Sequence, residues 1–190
     1  MPYSASMVQL AVATRLGPVR LAASPVGLAG LWFEGQRHEP VQRLHGPAAW
    51  PEASAHPVLW AASRQLAEYL SGERAAFDLP LDLSSGTVFQ QQVWRALLTV
   101  GRGTTTSYGA LGRQLGRSQA MRAVGAAVGR NPLSIVVPCH RIVGANGSLT
   151  GYAAGLERKA ALLALEGAQP PLVAPVDPAR GGSPWAQACA

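Results

Sequence analysis

Short apolar runs separated by turn-forming residues make up the first third of the chain. Gly17-Pro18 and residues 24–27 separate three such runs, which lie at residues 8–12, 19–23 and 28–33. Runs of this length between glycine- or proline-bearing turns are typical of β-strands. We therefore predict three strands, followed by a polar, proline-bearing connection over residues 40–57.

A helical period follows that connection. Apolar side chains recur every three to four residues over residues 57–70, at Leu59, Ala62, Leu66 and Tyr69. This spacing predicts a helix with one apolar face. Three strands and a helix form a small α/β unit, and we expect the N-terminal domain to comprise residues 1–85.

From residue 87 the pattern is helical. Thr87 is a suitable N-cap for a helix whose apolar face carries Phe89, Val93, Leu97 and Val100. Two shorter helices are predicted at residues 108–115 and 119–129, joined by the tight connection Gly116-Arg117-Ser118. This is the pattern of a helix-turn-helix, although any short helical hairpin produces it.

The predicted fold class is therefore α+β. A small α/β N-terminal domain precedes a mainly helical C-terminal domain, residues 86–168, which contains the helix-turn-helix. Residues 169–190 form a proline-bearing tail without evident chemistry. The second helix of the helix-turn-helix carries Arg122 and then small residues, including Ala123, Gly125 and Ala126. Such a surface suits sequence-independent minor-groove binding, whereas close packing against a neighbouring helix explains the small residues but not Arg122.

Charge supports a polyanionic partner for the C-terminal domain. The formal net charge is +6, and nine of the 16 Lys and Arg residues lie within residues 88–166, opposed there only by Glu157 and Glu166. A generic basic face would give the same charge distribution. The two cysteines, Cys139 and Cys189, are too few for a four-cysteine zinc site, and we expect no metal and no cofactor. No leader peptide or long apolar segment is visible, which favours a cytoplasmic protein with no membrane partner.

The segment Pro138-Cys139-His140-Arg141 carries the most chemical information. A thiol is a strong nucleophile only as its thiolate, so a reactive cysteine needs a base or a positive field nearby. His140 offers the base and Arg141 the field. A buried structural cysteine beside a solvated His-Arg pair is the alternative, and the surrounding motifs decide between the two.

Six motifs occur in a characteristic order, at Ser107-Tyr108-Gly109-Ala110-Leu111, Arg122-Ala123-Val124-Gly125, Asn131-Pro132, Pro138-Cys139-His140-Arg141, Leu149-Thr150-Gly151-Tyr152 and Leu162-Leu163-Ala164-Leu165-Glu166-Gly167. Together they resemble the O6-alkylguanine-DNA alkyltransferases, in particular the bacterial methylated-DNA:protein-cysteine methyltransferases that act alone. The resemblance covers residues 87–167 closely and residues 17–38 more loosely.

The resemblance implies DNA repair by irreversible, single-turnover alkyl transfer from O6-alkylguanine to Cys139, with O4-alkylthymine left open as a substrate. His140 would take the thiol proton through a bridging water, and Glu166 would hold and polarise the imidazole. Asn131 is expected to tie the turn before an active-site strand to the helix-turn-helix. Glu166 as a surface acid and Asn131 as a plain turn former are the alternatives.

The implied partner is double-stranded DNA, bound by a monomer through the minor groove with little regard to sequence. Because a duplex hides guanine O6, the nucleotide must leave the stack. The resemblance assigns Arg122 to fill the vacated space and Tyr108 to push the adjacent phosphate and then donate toward guanine N3. In the pocket for the flipped base, Tyr152 would form one wall, and the backbone carbonyls of Cys139 and Ile142 and the backbone amide of Ala153 would read the base.

Two departures and two rival functions complete the interpretation. Relatives commonly have Tyr-Ser-Gly or Tyr-Gly-Gly where this chain has Tyr152-Ala153-Ala154, so the accepted alkyl size stays open. The cysteine-rich zinc region of the bifunctional regulators is absent from this sequence. A cysteine peptidase also needs Cys and His, but its oxyanion donors are not apparent. A helix-turn-helix regulator is the rival binding function, and the small-residue helix argues against it.

Overall fold

The structure is a computed structural model that describes residues 6–168. Three strands open the chain, followed by helices and two very short strands. In chain order the elements are β1 (Val8–Val12), β2 (Val19–Ala23), β3 (Leu28–Phe33), α1 (Val41–Leu44), α2 (Pro57–Ser71), α3 (Val88–Leu97), β4 (Thr106–Ser107), α4 (Tyr108–Gln114), α5 (Met121–Gly129), a 3₁₀ turn (Cys139–Arg141), β5 (Ile142–Val143) and α6 (Leu156–Leu165). The predicted tail, residues 169–190 with Cys189, lies outside the described residues.

The N-terminal strands form one antiparallel sheet in the order β1-β2-β3. Every residue of β3 is buried, because the sheet is covered on both faces. Helix α2 contributes the apolar face that was predicted for it to one core, while a smaller cluster on Met7, Trp32 and Trp50 covers the other side. The predictions of three strands and of the first long helix are confirmed.

Helix α1 lies within the segment that was predicted to be an irregular connection. Leu44 on α1 is buried in the cluster with Trp32 and Trp50. The buried side chain of Gln9 donates to the carbonyl oxygens of Leu44 and Trp50, at 3.1 and 2.8 Å. This short helix is therefore stabilised by contacts with β1 and β3 rather than by its own sequence.

The C-terminal helices follow the prediction with shifted ends. Thr87 caps α3 in a reciprocal capping box with Gln90, as the sequence indicated. Helix α3 ends at Leu97 rather than Val100, because the hydroxyl and the N–H of Thr99 both donate to the Ala96 carbonyl and tighten the last turn. Helix α5 begins at Met121, two residues later than predicted. Whether α4 and α5 act as a DNA-binding helix-turn-helix stays a prediction at this point.

A strand of the N-terminal region supports the cysteine-bearing segment directly. Leu31 of β3 forms a parallel bridge with Leu133, donating to the Pro132 carbonyl and accepting from Ser134 N–H, at 2.8 and 2.9 Å. The side-chain oxygen of buried Gln36 accepts from Phe33 N–H and from the Ser134 hydroxyl, at 2.9 and 3.0 Å. The two predicted domains therefore share hydrogen bonds next to the site, although their boundaries remain predictions. No helix within residues 6–168 is long and apolar enough to cross a membrane.

Replacement of Gln36 by Ala tests this support. The change leaves Phe33 N–H and the Ser134 hydroxyl buried without their acceptor, at a cost of about 1 to 3 kcal/mol for each such group. We expect the melting temperature to fall by several degrees, since about 1 kcal/mol corresponds to roughly 2 to 4 °C in a chain of this size. Calorimetry is the measurement, and Gln42→Ala on exposed α1 is the control. Equal melting temperatures for the two variants would contradict the assigned role.

Candidate active site

Cys139 begins a 3₁₀ turn at the end of an irregular segment. Residues 132–138, which precede the cysteine, form hydrogen-bonded turns with an isolated bridge at Leu133. Pro132 and Pro138 lack the N–H groups that a strand ladder requires. Ile135 has a left-handed backbone with φ of 71°, which is rare for a β-branched residue. The segment is held by surrounding contacts rather than by sheet pairing.

Asn131 joins the end of α5 to the cysteine. Its backbone N–H donates to the Val128 carbonyl at 3.2 Å. Its side-chain amide donates to the Val137 carbonyl at 2.8 Å and to Cys139 Sγ at 3.0 Å. The amide oxygen accepts from Leu133 N–H at 3.0 Å. Asn131 is therefore more than a turn former: it donates directly to the sulfur atom.

His140 and Glu166 form a buried pair. Nε2 of His140 lies 2.6 Å from Oε1 of Glu166, and neither side chain has solvent exposure. Because an ionised carboxylate can only accept, Nε2 carries the hydrogen of this bond. Nδ1 of His140 is buried and has no hydrogen-bond partner among the described residues. In the neutral ring Nδ1 is thus the basic nitrogen.

Glu166 caps the C-terminal end of α6 and is surrounded by donors. Arg141 donates Nε to Oε2 at 2.9 Å and Nη2 to Oε1 at 3.1 Å, the hydroxyl of Tyr69 donates to Oε1, and Gly103 N–H lies 3.4 Å from Oε2. Burial by itself would raise the pKa of Glu166, but hydrogen bonds from His140, Arg141 and Tyr69 lower it to about 2. The carboxylate is ionised at neutral pH.

The thiol and the imidazole are both uncharged at rest. Burial raises the pKa of the Cys139 thiol, and the Asn131 hydrogen bond and the nearby Lys159 charge offset this only in part. Burial also lowers the pKa of His140, against the opposing effect of Glu166. A thiolate therefore forms only when a base accepts the proton during reaction. The neutral His140 ring is suited to that task.

A cavity of about 410 Å³ opens onto the sulfur. Tyr108, at the start of α4, lies on one side with Gly125 of α5 next to its ring: a Cβ on Gly125 would sit 3.8 Å from the ring. A turn of the N-terminal region contributes another part of the wall, and its Arg37 N–H donates to the Ala153 carbonyl at 3.0 Å. The full lining is Arg37, His38, Tyr108, Gly125, Ala126, Val128, Gly129, Arg130, Cys139, Gly151, Tyr152 and Ala153.

Half of the predicted site residues line this cavity, namely Tyr108, Gly125, Ala126, Cys139, Tyr152 and Ala153. Arg122 and Ala123 lie outside the lining, exposed on the first turn of α5. The side chain of Ile142 is fully buried in the main core, so only its backbone carbonyl is available for the predicted pocket. The Ile142 carbonyl accepts a hydrogen bond from the Lys159 ammonium group.

Lys159 is a site residue that sequence reasoning missed. Its fully buried ammonium group donates to the carbonyls of Ile142, Thr150 at 2.6 Å and Gly151 at 3.3 Å. Burial lowers its pKa to about 8, although Cys139 acts in the opposite direction. The available signal was that Lys159 is the only lysine in an arginine-rich chain.

The remaining missed residues contact the site from the N-terminal region or the end of α5. Tyr69 reaches Glu166, and three cationic or titratable side chains, Arg37, His38 and Arg130, line the cavity. Their positions depend on tertiary folding and leave no local sequence signal. Within residues 6–168 no three His, Cys, Asp or Glu side chains are grouped to hold a metal ion.

Family models match both halves of the chain. Residues 88–168 match the model described as 6-O-methylguanine DNA methyltransferase, DNA binding domain, and residues 7–83 match that of its ribonuclease-like domain. The methylated-DNA–protein-cysteine methyltransferase of Mycobacterium tuberculosis strain H37Rv is 47% identical over 157 residues, covering 82% of this chain and 90% of the relative. That of Methanosarcina acetivorans is 44% identical over 153 residues, covering 80% and 93%.

Solved structures show the same similarity. The crystal structure of M. tuberculosis O6-methylguanine methyltransferase superposes with a TM-score of 0.74 at 44% identity, covering 85% of this chain and 93% of that one. A crystal structure of the M. tuberculosis protein in complex with DNA gives a TM-score of 0.73 at 43% identity, covering 85% and 92%.

Acid titration of Glu166 tests the buried carboxylate. Its folded-state pKa lies below the unfolded value, so its stabilisation is present above about pH 4.5 and is lost as the pH falls toward 2. The shift corresponds to on the order of 3 kcal/mol. We expect the difference in unfolding free energy between the wild type and Glu166→Gln to shrink by about this amount across that window, as measured by urea denaturation. Glu157→Gln, which removes an exposed acid on α6, is the control. A difference in unfolding free energy between the wild type and Glu166→Gln that stays constant across this pH range would contradict the low pKa.

Proposed function

The chain belongs to the 6-O-methylguanine DNA methyltransferase family, and we propose that Cys139 is the residue to which it transfers the alkyl group. The activity is DNA repair by direct transfer from DNA to a cysteine of the protein itself. One observation carries the choice of Cys139: it lines a cavity while its neighbour His140 forms a buried pair with Glu166. The peptidase and regulator alternatives lose support, because the relatives reported above are methyltransferases.

The geometry supports a displacement with a simple proton path. His140 Nδ1 accepts the Cys139 proton through a bridging water, and Glu166 stabilises the resulting imidazolium. The sulfur then attacks the alkyl carbon of O6-alkylguanine, forming an S–C bond as the C–O6 bond breaks. The released electron pair stays on guanine, which gains a proton to become the normal base. The thioether has no easy route back to a thiol, so each molecule acts once.

Tyr108 suits the role of a donor to the departing guanine. Burial raises the pKa of its phenol, against a hydrogen bond with Thr150 that lowers it, so the hydroxyl keeps its proton at neutral pH. The residue is held at the first turn of α4 by the Ser107 cap, whose side chain accepts from Ala110 N–H at 3.1 Å. We assign the Tyr108 hydroxyl to guanine N3 and Tyr152 with Ala153 to the wall of the base pocket. The carbonyl of Ile142, already bonded to Lys159, has one remaining lone pair for the base.

The charge at the cavity supports DNA as the partner. Arg37, His38 and Arg130 line the cavity and are exposed, and its lining contains no acidic side chain. Neither Arg37 nor Arg130 forms a salt bridge within the described part of the chain. Phosphates flanking a flipped nucleotide are suitable ligands for such groups.

Helix α5 presents a surface suited to the minor groove. Arg122, Ala123 and Ala126 are exposed on it, and Gly125 faces Tyr108. Small side chains permit close approach to the sugar-phosphate backbone, and Arg122 is long enough to enter the base stack. We infer a monomer that binds duplex DNA with little sequence preference. A cytoplasmic location suits a reactive thiol, which an oxidising compartment would place at risk.

Stoichiometry tests the acceptor. With an O6-methylguanine duplex in excess, intact mass measurement should show one methyl adduct per molecule, and peptide mapping should place it on Cys139 and not on Cys189. Cys139→Ser should abolish transfer and keep DNA affinity close to that of the wild type, because a hydroxyl is similar in size but a far weaker nucleophile. Multiple turnovers, or an adduct on Cys189 alone, would overturn the assignment.

Comparison of two substrates tests base flipping. Arg122→Ala should slow transfer from duplex DNA by about tenfold or more, since flipping a base costs a few kcal/mol that this residue offsets. Its reaction with free O6-benzylguanine, if the wild type accepts that base, should change little. Arg15→Ala, which removes an exposed charge between β1 and β2, is the control and should leave both rates unchanged. Equal losses on both substrates would refute the flipping role of Arg122.

A further inference from the structure

One hydrogen bond to the His140–Glu166 pair comes from the N-terminal region. Tyr69, on helix α2, is buried, and its hydroxyl donates to Oε1 of Glu166. The same oxygen accepts from His140 Nε2 at 2.6 Å. The two donors are 97 and 26 positions away from Glu166 in the chain, yet they converge on one atom.

We propose that Tyr69 is a positioning residue that sets the basicity of His140 by sharing Oε1 of Glu166. The proposal rests on the function assigned above, in which His140 takes the thiol proton. The positive end of the Tyr69 O–H dipole lies at the oxygen that must stabilise the imidazolium. It therefore offsets part of the negative charge that His140 experiences, and it keeps the imidazole from being held in its protonated form.

The phenol is fixed in the orientation that this role requires. The ring of Tyr69 lies 4.9 Å from the Phe77 ring between centroids, and the guanidinium of Arg102 lies 5.8 Å from the Tyr69 ring centre. Nη2 of Arg141 lies 3.5 Å from the Tyr69 oxygen and acts as a donor to it. Burial raises the pKa of Tyr69 far above neutrality, so its hydroxyl remains a donor at any pH at which the protein works.

Among the other groups that act on the pair, only Arg141 shares this role with Tyr69. Arg141 binds both carboxylate oxygens, and Gly103 N–H approaches Oε2. The Lys159 charge disfavours the imidazolium from α6, while the Tyr152 ring meets the imidazole edge at 6.5 Å. Cys139, the remaining titratable group, is neutral before reaction. Of these contacts, only those of Tyr69 and Arg141 place a side-chain donor on the oxygen that His140 uses.

Tyr69→Phe removes the hydroxyl and little else. Without that donor Oε1 attracts the imidazolium more strongly, so His140 should hold its proton to higher pH. We expect the acid limb of the pH–rate profile for methyl transfer to move upward by about 0.5 to 1 pH unit. In single-turnover reactions at saturating O6-methylguanine duplex, the variant should be about two- to fivefold slower than the wild type at the midpoint of the wild-type acid limb, and the two rates should converge well above that midpoint.

A second replacement reverses the sign of the expected effect. Substitution of 3-fluorotyrosine at position 69 leaves the size almost unchanged and makes the hydroxyl more acidic, hence a stronger donor. The acid limb should then move to lower pH. Because this protein keeps its buried hydrogen bond, it provides the decisive measurement if Tyr69→Phe does not fold. An NMR titration of His140 should give the lowest midpoint for the 3-fluorotyrosine protein, an intermediate one for the wild type and the highest for Tyr69→Phe, in the same order as the acid limbs.

Phe77→Leu is the matched control, since it loosens packing against the Tyr69 ring and leaves the hydroxyl in place. Its melting temperature should fall, while the acid limb of its pH–rate profile should coincide with that of the wild type. An unmoved limb in both Tyr69 proteins, or an equal shift in Phe77→Leu, would overturn the proposal. Failure of the wild type itself to transfer a methyl group at any pH would instead refute the proposed function, so the two failures are distinguishable.

Discussion

The structure is organised around one ionised carboxylate that has no access to water. A buried charge is tolerated only when hydrogen-bond donors replace its hydration shell. Glu166 obtains these donors from three separate parts of the chain: Tyr69 on α2, the Gly103 backbone, and the His140-Arg141 pair. Because each donor must reach the same two oxygens, the positions of α2, the 3₁₀ turn and α6 are fixed relative to one another. Loss of any donor leaves part of the charge unpaired.

Burial also determines the protonation states of the resting site. Burial favours the neutral forms of both Cys139 and His140, so the site keeps a thiol and an imidazole rather than an ion pair. The charges that could stabilise a thiolate, the Asn131 amide dipole and the Lys159 ammonium group, are nevertheless already in place. Preorganised groups of this kind stabilise charge as it develops, without rearrangement at the moment of reaction. The nucleophile is therefore formed when a substrate is present to consume it.

Local periodicity was sufficient for most of the fold and for part of the site. The strands before residue 34 and helices α2 to α5 follow apolar spacing and caps such as Thr87, because these signals act over a few residues. Helix α1 was not predicted, because Leu44 is buried by contacts with residues of other elements, such as Trp32 on β3. The irregular backbone around Ile135 was not predicted either, because the bridge between Leu31 and Leu133 that holds this segment joins residues far apart in the chain.

The site residues also fall into a group that the sequence could reveal and a group that it could not. Cys139, His140 and Glu166 lie in motifs with a recognisable order, whereas the donors and cations that complete the site arrive from distant segments. A tyrosine on α2 or a lysine on an amphipathic helix has no sequence mark that separates it from an ordinary core or surface residue. Their roles arise only when folding places Tyr69 on Glu166 and Lys159 on the carbonyls beside the cavity. The domain boundaries and the DNA contacts remain predictions.

The hydrogen bonds between β3 and residues 132–134 have a consequence for how such proteins diversify. Two separate family models match the two halves, which suggests interchangeable modules. Here, however, Leu31 and Gln36 in one half hold the turn that precedes the nucleophile in the other. A chimaera that joins one half to the other half of a distant relative would lack matched partners at these hydrogen bonds. A substitution at Gln36 therefore affects Ser134 in the other half, because the two side chains are hydrogen-bonded to each other.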